Sequence, residues 1–217
     1  VASMTVALPK GRLAEEAIRF LAEAGLSVPP EMENSRQLIL STEEGFRYLL
    51  AKPGDVPTYV AHGAADMGIA GLDVLRESRE DLYEPLMLPF GYCRLSVAAP
   101  KDRPKRPLRL ETRPRVATKF PHLTESFFRS RGISSDIIVL KGSVELAPLV
   151  GLSDMIVDLV QTGSTLKANN LEEIEVIMQS QAVLVVNRAS YRLNEEFMDD
   201  LIARLREVAE RWKGGQG

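Results

Sequence analysis

The chain has 217 residues, 45% of them hydrophobic, with 27 Lys and Arg against 30 Asp and Glu and a formal net charge of -3. This length can bury a core as one large domain or two small ones, and the charge gives no electrostatic case for nucleic acid or an anionic membrane surface. A single cysteine, Cys93, excludes an intramolecular disulfide and suits a reducing cytoplasm.

No apolar stretch has the length needed to cross a bilayer. The start, VASMTVALPKGRL, lacks the basic region and long apolar core of a secretory signal, so the expected location is cytoplasmic.

Apolar runs and helical patterns alternate from the first residues. MTVAL (4–8) predicts a strand and PKGRL its turn into a helix, with Leu13, Ala17, Phe20, Leu21 and Ala24 on one face and Gly25 at its end. LIL (38–40) and FRYLLA (46–51) read as strands around the turn STEEG. Asp55 then precedes a short helix VPTYVAHG as its cap. ADMGIAG (65–71) is a buried strand that breaks on glycine, with Asp73 capping the next helix. YEPLMLPF (83–90) and CRLSVAA (93–99) are further strands.

KDRPKRPLRLETRPR (101–115) concentrates Lys and Arg but is broken by three prolines. It reads as a solvated connector, with a basic docking patch as the alternative. A second series follows: strand RVATKF, helix PHLTESFFRSRG, strand DIIVL, helix SVELAPLV, strand DMIVDLV and a helix from TGSTLKANN. Strands EVIM (175–178) and AVLVVN (182–187) precede an amphipathic helix from about Asn194 to Trp212, with Phe197, Leu201, Leu205, Val208 and Trp212 on its inner face. The expected fold is α/β with largely parallel sheets.

Ligands of open α/β sheets sit beyond the carboxyl ends of the strands, which singles out LPKGRL (8–13), GIAGLD (68–73), LKGSVEL (140–146) and QTGSTL (161–166). In QTGSTL, a glycine among Thr162, Ser164 and Thr165 can turn successive backbone N–H groups into one concavity at a helix start. This is a monophosphate cradle without the lysine of a P-loop; an ordinary capping turn has the same composition. Asp154 and Asp158, four apart, fall on one face of an extended strand. Asp158 is nearer the loop, where it can accept hydrogen bonds from the hydroxyls of a ribose whose phosphate the loop holds. Asp154 fits a ligand role and a capping role equally.

Lys10 and Arg12 around Gly11 suit phosphate oxygens. Gly68 and Gly71 can admit a flat base or serve tight packing, and Arg36 and Lys52 are further cations near strand ends. The two histidines, His62 and His122, have no metal-ligand spacing.

The order LPKGRL, KPGDVPTYVAHGAADMGIAGLDVL, RVATKFPHLTESFFRSRGI, GSVELAP, GLSDMIVDLVQTGSTLKANNL resembles ATP phosphoribosyltransferase across nearly the whole chain, in its short form. The resemblance implies a two-lobed fold of the periplasmic-binding-protein type II kind, with the site in the interlobe cleft. Residues 1–93 with 179–217 would form the ATP-side lobe and 94–178 the phosphoribosyl pyrophosphate side. The implied reaction joins N1 of the ATP adenine to C1 of phosphoribosyl pyrophosphate with Mg²⁺ carried on the substrate phosphates, the first step of histidine biosynthesis.

By motif, Thr162, Gly163, Ser164 and Thr165 would hold the 5-phosphate, and Asp158, Asp154 and Glu145 the sugar. Lys10, Gly11, Arg12, Gly71, Leu72 and Asp73 would serve ATP. Arg36 and Lys52 would take the catalytic role of steadying the departing pyrophosphate. The chain departs from the family pattern at Lys52, where arginine is usual, at His62, where an acid is usual, and at Leu72, where lysine is usual. The short form also implies a regulatory partner resembling histidyl-tRNA synthetase, with the catalytic chain a homodimer and no nucleic acid or membrane partner.

Overall fold

The computed structural model describes residues 4–29, 32 and 37–214. Its strands begin with β1 (Met4–Pro9), β2 (Ile39–Ser41), β3 (Phe46–Ala51), β4 (Met67–Gly71), β5 (Tyr83–Met87) and β6 (Cys93–Pro100). They continue with β7 (Arg115–Thr118), β8 (Asp136–Val139), β9 (Met155–Val160), β10 (Leu171–Ser180) and β11 (Ala182–Val186). The helices are α1 (Ala14–Glu23), α2 (Val56–Ala61), α3 (Leu72–Ser78), α4 (Pro121–Ser130), α5 (Leu146–Leu149), α6 (Ser164–Ala168), α7 (Arg188–Leu193) and α8 (Glu195–Gly214). The chain divides into two compact units, one running to Tyr92 and resuming at Gln181, the other Cys93–Ser180.

In the first unit the sheet order is β2-β3-β1-β4-β11-β5. β1 pairs in parallel with β3 and β4, while β11 runs antiparallel to β4 and β5. Side chains alternate between two apolar layers, as the two-residue strand period requires. Val6 and Leu8 pack with α1 and α8, around Phe20, Leu21, Met198, Leu201 and Leu205. Ala7 faces Val56 and Val60 of α2 and Val183 and Val185 of β11. All five residues of β11 are fully buried, so this strand is covered on both faces and reads as a continuous apolar run.

The second unit repeats the arrangement in a sheet of order β10-β6-β9-β7-β8. β7 pairs in parallel with β8 and β9, and β6 runs antiparallel to β9 and β10. Met155 and Val157 point to the α4 side with Phe127 and Phe128. Ile156 and Val160 point to the other side, with Ala98, Ala117, Val144 and Leu166.

Both sheets are therefore mixed rather than largely parallel. In each, three parallel strands built from βα crossovers are joined by a strand of opposite direction. The α1 face is as expected, with Leu13, Ala17, Phe20, Leu21 and Ala24 all buried, and Gly25 leaves the helix at φ 81°. Asp55 and Gly71 occupy the N-cap positions of α2 and α3, and neither cap uses a side chain. Asp73 therefore does not cap α3; it lies in the first turn and is buried. The expected amphipathic helix is α8, and a short helix, α7, precedes it. Asn187 begins α7 by accepting the Ser190 N–H at 2.9 Å. Phe197 is 43% exposed, because the inner face of α8 is set by Met198, Leu201, Ile202, Leu205 and Val208.

Gly68 of β4 marks the tightest sheet contact: a Cβ there would lie 2.8 Å from the Ala7 carbonyl oxygen and 3.0 Å from a Val60 methyl. Gly68→Ala is expected to destabilise the fold by about 1–3 kcal/mol, read as a lower denaturant midpoint with an unchanged slope.

Candidate active site

The second unit has a point where its crossovers diverge. From β7 the chain passes through α4 to β8 on one side; from β9 it passes through α6 to β10 at the opposite edge. Such a reversal opens a crevice at the carboxyl ends of the two strands. The β7–β9 register aligns Thr118 with Val157, so the next pair is Lys119 and Asp158. The two are in contact, with Lys119 Nζ 3.6 Å from Asp158 Oδ1. The end of β7 is pinned from below, where the buried Thr118 hydroxyl donates to the Val157 carbonyl at 2.8 Å and accepts the Phe120 N–H at 2.9 Å.

Asp158 shares its strand face with Ile156 and Val160, above an apolar layer that includes Ala98 and Ala117. Its side chain is only 22% exposed. Burial pushes its carboxyl above the usual carboxylate range; the Lys119 ammonium and the Leu159 N–H pull it back, and the Glu145 charge adds to the rise. Glu145 reaches this neighbourhood from the loop after β8, where Ser143 takes a left-handed φ of 46° and Glu145 occupies the N-cap position of α5. Asp158, Glu145 and Lys119 thus form one electrostatic group.

The loop after β9 supplies the other half. Gly163 has φ 82°, a conformation that favours glycine, and it starts α6 with Ser164 as the first helical residue. Thr162 Oγ1 accepts the Ser164 N–H at 3.4 Å and lies 3.1 Å from the Ser164 hydroxyl. The backbone N–H groups of a helix's first turn have no partner within the helix. Thr162, Ser164 and Thr165 are exposed around them, an arrangement suited to a small dianion.

Asp154 is not part of this group. It lies just before β9, about 13 Å from Asp158 at the usual rise per strand residue. Its carboxylate accepts the Arg115 backbone N–H at 2.8 Å and the Arg115 guanidinium at 2.9 Å. That guanidinium holds the Asp154 carboxyl below the ordinary range. The even spacing of the two aspartates gave a shared face, but along the strand they occupy opposite ends.

The first unit carries a second divergence of the same kind, between β1 and β4. Lys10 and Gly11, with φ 87°, follow β1 and are exposed. They border a depression of about 230 Å³ lined also by Leu8, Pro9, Ala14, Ile18, Met32 and Leu50. Arg12 donates to the Gly91 carbonyl at 2.9 Å, which ties this loop to its own unit. Lys52 follows β3 and is exposed. Gly71 is confined by the next turn, since a Cβ there would lie 2.5 Å from Asp73 Oδ1. Leu72 is half-buried against Val56, Val60 and Ala70. Buried Asp73 and Leu72 fit the packing reading of GIAGLD better than a flat-base site. Arg36 lies outside the described residues.

Two α/β units with cation-bearing and hydroxyl-rich loops at the ends of their parallel strands define a binder of phosphorylated small molecules. The sequence profile described as "HisG: ATP phosphoribosyltransferase" matches residues 52–207, and the chain belongs to that family. It is 50% identical over 204 residues to an ATP phosphoribosyltransferase of Sorangium cellulosum, covering 94% of each chain. Its fold matches the ATP phosphoribosyl transferase (HisG:HisZ) complex from Thermotoga maritima with a TM-score of 0.83 and 39% identity, over 96% of this chain and 99% of that one. A substrate binding protein of an amino acid ABC transporter matches at a TM-score of 0.61 and 13% identity, over 98% of this chain and 94% of that one. This last likeness shows the fold alone, that of two-lobed solute-binding proteins.

Lys119 is the neighbour that motif reading missed. The signal was available, because Lys119 follows β7 as Lys10 follows β1. The raised carboxyl of Asp158 has a consequence for stability. Above its folded-state range the ionised carboxylate costs the native state, and protonation relieves the cost as pH falls. Asp158→Asn is therefore expected to raise the melting temperature of the unliganded chain at neutral pH, with the gain shrinking toward acid pH in a series of thermal melts.

Proposed function

We infer that this chain transfers the phosphoribosyl group of 5-phosphoribosyl 1-pyrophosphate to N1 of the adenine of ATP, the first step of histidine biosynthesis. The observation that carries the reading is the meeting of Asp158, Lys119 and the Gln161–Thr165 loop at the β7–β9 divergence. A phosphate on the loop leaves the sugar within reach of a carboxylate that lacks most of its water. Family membership over most of the chain supplies the chemistry.

In this reading Thr162, Gly163, Ser164 and Thr165 take the 5-phosphate through N–H and hydroxyl donors. Asp158, with Glu145 beside it, accepts hydrogen bonds from the ribose hydroxyls. Lys10 and Gly11 would serve the ATP phosphates, and Lys52 the pyrophosphate. Lysine gives a point charge where the family's usual arginine would give a fork. Leu72 and Asp73 shape the floor of the ATP side and Gly71 admits the close turn beneath it, while Arg12 secures its loop.

The adenine nitrogen attacks C1 as the C1–oxygen bond to pyrophosphate breaks, with inversion. Adenine N1 is a weak nucleophile, so the chain's contribution is placement of the two substrates and charge facing the leaving group. Among the described residues no group of three or more His, Cys, Asp or Glu is placed to hold a metal ion. Magnesium is characteristically bound by substrate phosphates with few protein ligands, so the donor set fits an ion that arrives on the pyrophosphate and neutralises its charge. A regulatory subunit of the HisZ kind, as in the Thermotoga maritima complex, a homodimeric catalytic core and a cytoplasmic location complete the proposal. Among the described residues no helix is long and apolar enough to cross a membrane.

The direct test follows the N1 adduct by ultraviolet absorbance after mixing the chain with both substrates and Mg²⁺. Absence of adduct, even with a HisZ-type subunit added, would overturn the reading. Asp158→Asn and Thr165→Val are each expected to raise the KM for the phosphoribosyl donor by roughly tenfold or more, while leaving the KM for ATP within about twofold. Asp154→Asn is expected to leave both constants within about twofold and to lower the melting temperature only slightly, because its ion pair with Arg115 is exposed and screened by solvent.

A further inference from the structure

Asp158 has neighbours on both adjoining strands, and they differ in kind. On β6 its register partner is Ser96, whose hydroxyl is buried and makes no hydrogen bond among the described residues. Two residues back along β6, Arg94 is turned away, with Nε donating to Glu173 at 2.8 Å and its guanidinium to the Gln161 carbonyl at 3.4 Å. From α5 comes Glu145, a like charge. The cation that faces Asp158 is Lys119, the first residue after β7, at 3.6 Å with its side chain 39% exposed.

Two carboxylates and the Lys119 ammonium share this end of the sheet. In the phosphoribosyl reading the donors of the loop face the 5-phosphate, which leaves the ammonium to the carboxylate. A cation beside it favours the charged form of a carboxylate that is drawn out of water and faces a second acid. A protonated Asp158 could accept fewer hydrogen bonds and would present a donor to the sugar hydroxyls.

We propose that Lys119 is a positioning residue for the transfer, holding the Asp158 carboxylate ionised and aimed across the β7–β9 crevice at the sugar of the donor. The proposal rests on the phosphoribosyl reading of this site. On the other side of Asp158 the Ser96 hydroxyl makes no hydrogen bond among the described residues, while Lys119, at the end of β7, is within ion-pair reach.

The test compares Lys119→Met and Lys119→Arg in the full chain, with its regulatory subunit added where transfer requires one. In the unliganded protein, the titration of Asp158 is followed by carbon NMR of labelled aspartate, assigned with Asp158→Asn. Lys119→Met is expected to move that titration to higher pH and Lys119→Arg to restore it. In steady state, Lys119→Met is expected to raise the KM of the phosphoribosyl donor by roughly tenfold and to shift the acid limb of its kcat/KM upward in pH. The KM for ATP should stay within about twofold, and Lys119→Arg should recover most of the loss. An unmoved Asp158 titration overturns the proposal, and so does a parallel rise in both KM values. If the wild-type chain transfers nothing, the NMR arm still decides whether Lys119 governs Asp158, and the failure then belongs to the proposed reaction.

Discussion

Parallel pairing of strands that belong to diverging crossovers is the constraint on which the site depends. A parallel register carries its alignment past the last ladder bond, so the first residues beyond two neighbouring strands arrive side by side. In the second unit that places Lys119 against Asp158, following the Thr118–Val157 pair. Helices α4 and α6 leave this junction to pack on opposite faces of the sheet. The apolar layers beneath hold the strands in place, and their burial makes the electrostatics above them strong. Moving β9 by one residue would turn Asp158 to the α4 side and bury it among Phe127 and Phe128.

Stability and binding pull against each other at Asp158. A side chain that is mostly buried, above alanines and branched aliphatics, has lost most of its water. Its nearest opposite charge stands at 3.6 Å, too far for a close hydrogen bond. The unliganded fold therefore carries an incompletely compensated carboxylate, and a sugar with two adjacent hydroxyls would supply what is missing. Asp154 shows the opposite solution four residues earlier. More exposed, it is paired by a guanidinium and a backbone N–H, and its charge is satisfied within the fold.

Much of the architecture was legible in the sequence, because strand and helix periods are local. FRYLLA coincides with β3, and the five apolar positions of α1 are all buried. What failed was what only tertiary context decides. The direction of β6 and β11 depends on where the chain returns, which no local pattern encodes, and Phe197 lost its inner position to Met198 because the docking angle of α8 is set by its partners. In the candidate site, the QTGSTL loop and Asp158 stand out in the sequence because glycine, hydroxyls and a carboxylate in an apolar run are locally unusual. Asp154, left open between a ligand and a capping role, could not be assigned because its partner Arg115 comes from a neighbouring strand.

The repeated topology explains why Lys119 was harder to see than Lys10. The two units share the order of three parallel strands continued on one side by an antiparallel one, yet no sequence repeat accompanies it. The equivalence therefore emerges only when β1 and β7 are seen to hold the same place. Each strand is followed at once by a lysine, but the chemistry next to each lysine differs. Carrying the β1–β4 register forward from Ala7–Gly68 sets Lys10 opposite Gly71, where the Asp73 carboxylate fills the space a side chain would take, whereas Lys119 meets the carboxylate of the paired residue itself. The same fold position thus carries a lysine in both units, and in each the acid nearest the neighbouring strand end comes from a different place in the chain: the following helix for Gly71, the strand end itself for Asp158.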